Sequence, residues 1–180
     1  MRRAQTSLRI ATLAALAAIV LAACGGGGKS STAAKSAAAV SSTTTPDPQT
    51  AQQAAVLQGW RDYWNTYLDL GTRGAPLDPR LKDVATGTAL NNSIAALQAR
   101  YLAGQVYKGT YDLRPTILTL NGTNASVRDC LGDHTDVYNT RTSTVDVHAD
   151  ARRTLRTGTL TFIDGGWKVA TIENGGPCTE

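Results

Sequence analysis

The densest group of chemically capable side chains runs through Asp129-Cys130-Leu131-Gly132-Asp133-His134-Thr135-Asp136. Carboxylates, a thiol and an imidazole in so short a span are metal ligands by type, and Cys130 with His134 offers the thiol and base of a nucleophilic pair. The spacing demands neither. Lone Asp and His residues about a glycine form turns, which is the expectation around Gly132, and the Cys130 to His134 offset implies no acid-base geometry. A second pair, Asp146 and His148, lies two apart in a run rich in Val and Thr. On a strand the two share a face and would make a general-base pair if that face lined a pocket; an exposed surface pair is the expectation. No Gly-x-Ser-x-Gly elbow, phosphate loop or His-Glu-x-x-His motif is present. The sequence therefore calls for no metal and no cofactor, and Asp129, Asp146 and His148 are the catalytic candidates it leaves.

Any such residue must be positioned by a fold, and the punctuation of that fold starts at Asp47-Pro48, an N-cap followed by proline at the first helical position. Val56, Trp60, Tyr63, Trp64, Tyr67 and Leu70 then recur at helical spacing, and Gly71 is the expected stop. These rings are expected to be core; one that lined a cavity would be a Tyr whose hydroxyl needs a partner. Asp78-Pro79 predicts a short second helix to about Thr86, and Thr88 a third, ending at Gly104. Beyond Gly104 the period changes to alternation. Strands are expected in Val106 to Leu120, with Pro115 at an edge or bulge, and in Ala125 to Leu131, Val137 to Val147, Thr154 to Ile163 and Trp167 to Glu173. Asn121-Gly122 and Asp164-Gly165-Gly166 supply hairpin turns. Three helices followed by consecutive antiparallel strands predict an α+β domain with the helices on one face of the sheet.

Ahead of this domain, residues 1–23 read as a leader. Arg2, Arg3 and Arg9 precede an apolar run from Ile10 to Ala23 that is too short to cross a bilayer core of roughly 30 Å. It ends in Leu21-Ala22-Ala23-Cys24 followed by four glycines, which resembles the lipobox of bacterial lipoproteins. That resemblance implies cleavage before Cys24, a diacylglyceryl group on its thiol and anchoring to the extracytoplasmic face of a membrane, since two or three acyl chains on one residue hold where a single chain is marginal. Residues 24–46 are too poor in large apolar side chains to bury a core and read as a tether to the domain at 47–180. Three of the 18 basic residues lie in the leader, against 14 acids that all lie beyond it, so the remainder is close to neutral. With no basic run interleaved with aromatics, nucleic acid is not an expected partner.

The order of a long helix, a short one, a third and then a strongly bent sheet resembles the NTF2-like superfamily, over about residues 48 to 178. That resemblance implies a cone enclosing a pocket, as in its isomerases and hydrolases of small hydrophobic substrates. Asp129-Cys130, Trp167-Lys168-Val169 and Cys178 are similar to the marks of uncharacterised actinobacterial lipoproteins that end in such a domain. With Cys24 taken by lipid, Cys130 and Cys178 remain as an even pair in an exported, disulfide-permissive compartment and are expected to be bonded. The favoured functional reading is a lipid-anchored module that binds an envelope protein or a small apolar ligand without catalysis. The alternative is an isomerase or hydrolase using Asp129 or the Asp146 and His148 pair.

Overall fold

Pro48 opens helix α1 (Pro48–Arg73) in the computed structural model, which describes residues 47–150 and 152–178. The leader, Cys24 and the tether lie outside the described residues. The helix runs past Gly71 because nothing there breaks it. Gly71 packs against the ring of Tyr107, which occupies the space a Cβ would need, and the helix closes instead at Gly74, whose φ of +63° is the left-handed C-cap conformation.

Asp78 does not start a helix. Its carboxylate accepts the Arg80 amide at 3.0 Å and pairs with Arg73 and Arg80, leaving only the single turn α2 (Leu81–Val84). The chain then extends, with Ala85 bridging to Val169 and the Thr86 amide bonding the Val169 carbonyl at 2.8 Å. Helix α3 (Gly87–Ala103) begins a residue before Thr88, whose hydroxyl reaches the Ala170 carbonyl instead of capping. It ends as expected at Gly104.

The sheet comprises β1 (Gln105–Asp112), β2 (Pro115–Asn121), β3 (Asn124–Asn139), β4 (Thr144–Val147), β5 (Arg153–Ile163) and β6 (Gly166–Pro177), all antiparallel. Strand β3 is its spine. Its first half pairs with β2 on one side and β5 on the other; its second half pairs with β1 and β4; β6 extends the sheet beyond β5. The turn expected about Gly132 is therefore absent: Asp129 to Asp136 all lie inside β3, because ladders on both sides satisfy a backbone that in isolation would turn. Likewise Val137 belongs to β3, which runs on to Asn139, and the chain reverses before β4. The expected hairpins are present, with positive φ at Gly122, Asp164 and Gly165.

The fold is α+β, with helices packed on an open antiparallel sheet. Val56, Trp60, Tyr63 and Trp64 of α1 pack on Val127, Leu131, Leu160, Trp167 and Val169. A second cluster joins Leu70, Leu81 and Leu97 to Tyr107 and Val137. Burying side chains of this size contributes about 1.5–3 kcal/mol each. Among the described residues, no helix is long and apolar enough to cross a membrane.

Candidate functional site

Between α1, α3 and the sheet lies a cavity of about 270 Å³. Helix α1 contributes Tyr63, Trp64 and Tyr67, strand β1 contributes Tyr107 and Tyr111, and α3 contributes Asn92, Ser93 and Ala96. Tyr63 and Tyr67 lie a helical turn apart, and Tyr107 and Tyr111 share one strand face, so the two elements present their rings to one space. Trp64 meets Tyr63 and Tyr111 edge-on at 5.2 and 5.3 Å, while Tyr63 stacks on Tyr67 at 6.2 Å.

The hydroxyls find partners. Tyr63 shares a 2.7 Å hydrogen bond with the Ser93 hydroxyl, and the Tyr107 hydroxyl accepts Arg100 Nε at 3.0 Å and lies 3.3 Å from that of Tyr67. Burial pushes the Tyr63 phenol up to about 12, partly opposed by the Ser93 hydrogen bond. Burial raises Tyr67 further, helped by neighbouring Tyr107, and raises Tyr111 with the help of the Asp133 charge. All three are neutral phenols at pH 7.

The sheet closes the cavity with Leu131 and Asp133 of β3, Arg156 of β5, and Ile172 and Asn174 of β6. Asp133 Oδ1 accepts both the Thr135 amide, at 2.9 Å, and the Thr135 hydroxyl, at 2.6 Å. Arg156 stands in register between Asp129 and Asn174. Its Nε is shut away from solvent without a hydrogen-bond partner, as is Nε1 of Trp64. A second cavity of about 300 Å³ shares Tyr107, Asp133 and Arg156 with the first and is lined on its far side by Arg100, His148 and Arg152.

Alternation along β3 divides the Asp129 to Asp136 cluster between the two faces of the sheet. Asp129 and Asp133 are on the helix-covered face with the buried Leu131; Cys130, His134 and Asp136 are on the other, and among the described residues no group of three or more His, Cys, Asp or Glu could hold a metal. Asp129 is fully buried yet does not line the cavity. Its Oδ2 accepts Trp60 Nε1 at 2.7 Å and its Oδ1 accepts the Arg114 amide at 2.8 Å, so it ties α1 to the β1–β2 connection, and burial raises its carboxyl above the usual range. Asp146 and His148 do not form a pair. Asp146 accepts Gln105 and Asn139 side chains on an exposed strand. His148 lies beyond the end of β4, where Asp136 takes the Ala149 amide and turns the chain; its side chain is 82 % exposed and faces Asp136 at 3.6 Å.

Cys130 and Cys178 stand at disulfide distance, Cα atoms 6.1 Å apart, which removes Cys130 as a partner for His134. Arg153 braces the same corner, donating from Nε to the Cys130 carbonyl at 2.8 Å and pairing with Asp112. Nothing in the spacing of Tyr107, Tyr111, Asp133 and Arg156 marks them as a set. The same-face spacing of the two tyrosines on β1 was the available signal, but the partner helix is far away in sequence.

No protein-family model and no curated protein matches the chain. Solved structures do. The intermembrane space region of the chloroplast protein ARC6 is 16 % identical over 73 % of this chain and 98 % of its own, with a TM-score of 0.56. A candidate aromatic ring hydroxylase from Novosphingobium aromaticivorans is 10 % identical over 71 % of this chain and 90 % of its own, at 0.51. An NTF2-like protein with a cystatin-like fold from the same organism is 19 % identical over 71 % and 88 %, at 0.41. At these identities the likeness to the first two is one of fold alone.

Proposed function

We propose that this chain is a non-enzymatic binding module that takes a small ring-bearing ligand in its tyrosine-lined cavity, tethered by lipid on Cys24 to the extracytoplasmic face of a membrane. The observation that carries the binding reading is the cavity itself: five aromatic rings around about 270 Å³, their hydroxyls held by neighbours, with neither histidine of the chain among the lining residues. That volume lies just below the range of drug-sized pockets, so the occupant is about one substituted ring. The NTF2-like isomerase or hydrolase reading names Asp129 or the Asp146 and His148 pair, and none of these lines the cavity: Asp129 is consumed by Trp60 and Arg114, and Asp146 and His148 do not pair. Asp133 does line it, with its Oδ1 held by the Thr135 amide and hydroxyl. The anchor rests on the lipobox resemblance of residues 21–24.

Ala96 is exposed at the rim of the cavity, so Ala96→Trp plugs the mouth with little effect on the core. Single-ring probes such as benzamide, titrated into the full chain by nuclear magnetic resonance, should bind saturably, and Ala96→Trp should weaken them by about tenfold or more without moving the melting temperature. Binding that ignores this substitution, or no binding at all, removes the proposal. Mass spectrometry of membrane fractions tests the anchor separately: an unmodified Cys24 removes it.

A further inference from the structure

The hydrogen-bonding balance of the cavity is uneven. Several of its acceptors are served: Asp133 Oδ1 takes two donors from Thr135, and the Tyr63 and Tyr107 hydroxyls have partners. Its enclosed orphans are both donors, Arg156 Nε and Trp64 Nε1. Arg156 also forms no ion pair with any described residue: Asp129, its cross-strand neighbour, has both oxygens on Trp60 and the Arg114 amide, and Asp133, which shares its cavity, has Oδ1 on Thr135. Buried polar atoms in folded proteins are nearly always paired, those of a charged group more than most. What Arg156 Nε and Trp64 Nε1 lack is an acceptor within reach.

We infer that the occupant is a small aryl carboxylate, its ring against Trp64, Tyr63 and Tyr111 and its carboxylate on the Arg156 guanidinium. This deepens the binding reading and rests on it. The planar guanidinium fork matches two carboxylate oxygens, whereas a neutral amide offers one acceptor and no charge. The neutral phenols around it add no repulsion, and the Trp64 indole N–H is a further donor. Arg100 and Arg152 line the adjoining cavity and give an anion a favourable approach, although Arg152 is paired with Asp150 and Asp133 opposes the charge from within. The carboxylate is thus read by one residue, Arg156, and the ring by the tyrosine wall.

The test uses a matched pair, benzoate and benzamide, on the full chain. Wild type should bind benzoate about tenfold or more tightly than benzamide. Arg156→Met should abolish that preference by weakening benzoate while leaving benzamide within about threefold, and Arg156→Lys should fall between, keeping the charge without the fork. Should Arg156→Met unfold, the wild-type preference and the Lys variant still decide. Equal binding of the two probes by wild type, or a preference that survives Arg156→Met, overturns the carboxylate inference and leaves the cavity reading in place. If neither probe binds, both fall.

Discussion

Asp129→Asn is the most informative substitution, because it separates a carboxylate that holds the fold together from one kept for chemistry. Each oxygen of Asp129 accepts one buried donor, Trp60 Nε1 at 2.7 Å and the Arg114 amide at 2.8 Å. An asparagine keeps one acceptor and turns a second donor toward whichever N–H remains, so one buried donor loses its partner in either orientation. That loss costs about 1.5–3 kcal/mol for a bond to a charged acceptor. Relief of the buried charge offsets part of it, leaving a net destabilisation of about 2 kcal/mol. At about 4 °C per kcal/mol for a domain of this size, thermal unfolding followed by circular dichroism should show a drop of about 8 °C. The pH dependence adds a sign. Burial raises the Asp129 carboxyl above its ordinary 3.8, so wild type gains stability as pH falls through the raised value toward 3.8, while the Asn variant does not. The gap between them should therefore widen on acidification from pH 7. A double-mutant cycle with Trp60→Phe should give a coupling of about 1 kcal/mol or more. A variant that melts at or above wild type, or additive single effects, would refute the structural role and return Asp129 to the catalytic candidates.

Three further outcomes are expected. Replacing Cys130 and Cys178 by serine should cost about 4 kcal/mol by chain entropy, given their separation of 48 residues, read as a lower denaturation midpoint with a slope that rises as the freed unfolded chain exposes more surface. Gly71→Ala places a methyl 2.1 Å from the Tyr107 ring, which should destabilise by about 1–3 kcal/mol and, by moving a cavity wall, weaken benzamide binding in parallel. Ultraviolet difference titration should leave Tyr63, Tyr67 and Tyr111 protonated above about pH 10, where a free phenol ionises. Because their folded values are raised, the stability they contribute is whole below about pH 10 and is lost as pH climbs beyond it, so an alkaline melting curve that stays flat contradicts their burial.

Local grammar made much of the fold legible. Pro48, Gly104 and the turns at Gly122 and Asp164-Gly165 act through φ preferences that belong to the residue itself, and the change from helical to alternating period marks where β1 begins. Gly71 and Gly132 carry the local signals of a stop and a turn, and each is overridden by a distant partner: the Tyr107 ring and the strands on both sides of β3. Asp78 carries the signal of a cap, but Arg73 and Arg80, close by in the chain, take its carboxylate. The site was legible in its helix half only. Tyr63, Trp64 and Tyr67 stand out by spacing, but the role of Arg156 depends on what its neighbours have already spent their oxygens on, and no pattern along the chain records that.

The contact between the first helix and the last strand sets an order in time. Gly59 packs on Trp167, and Trp60, Trp64 and Val56 share a core with Val169, yet these partners are made roughly a hundred residues after the helix. At about 5–20 residues per second of synthesis, the aromatic face of α1 waits about 5–20 s before its cover exists. Its oiliest surface is thus the first made and the last hidden, and for that interval the nascent chain is a client for any factor that shields exposed rings.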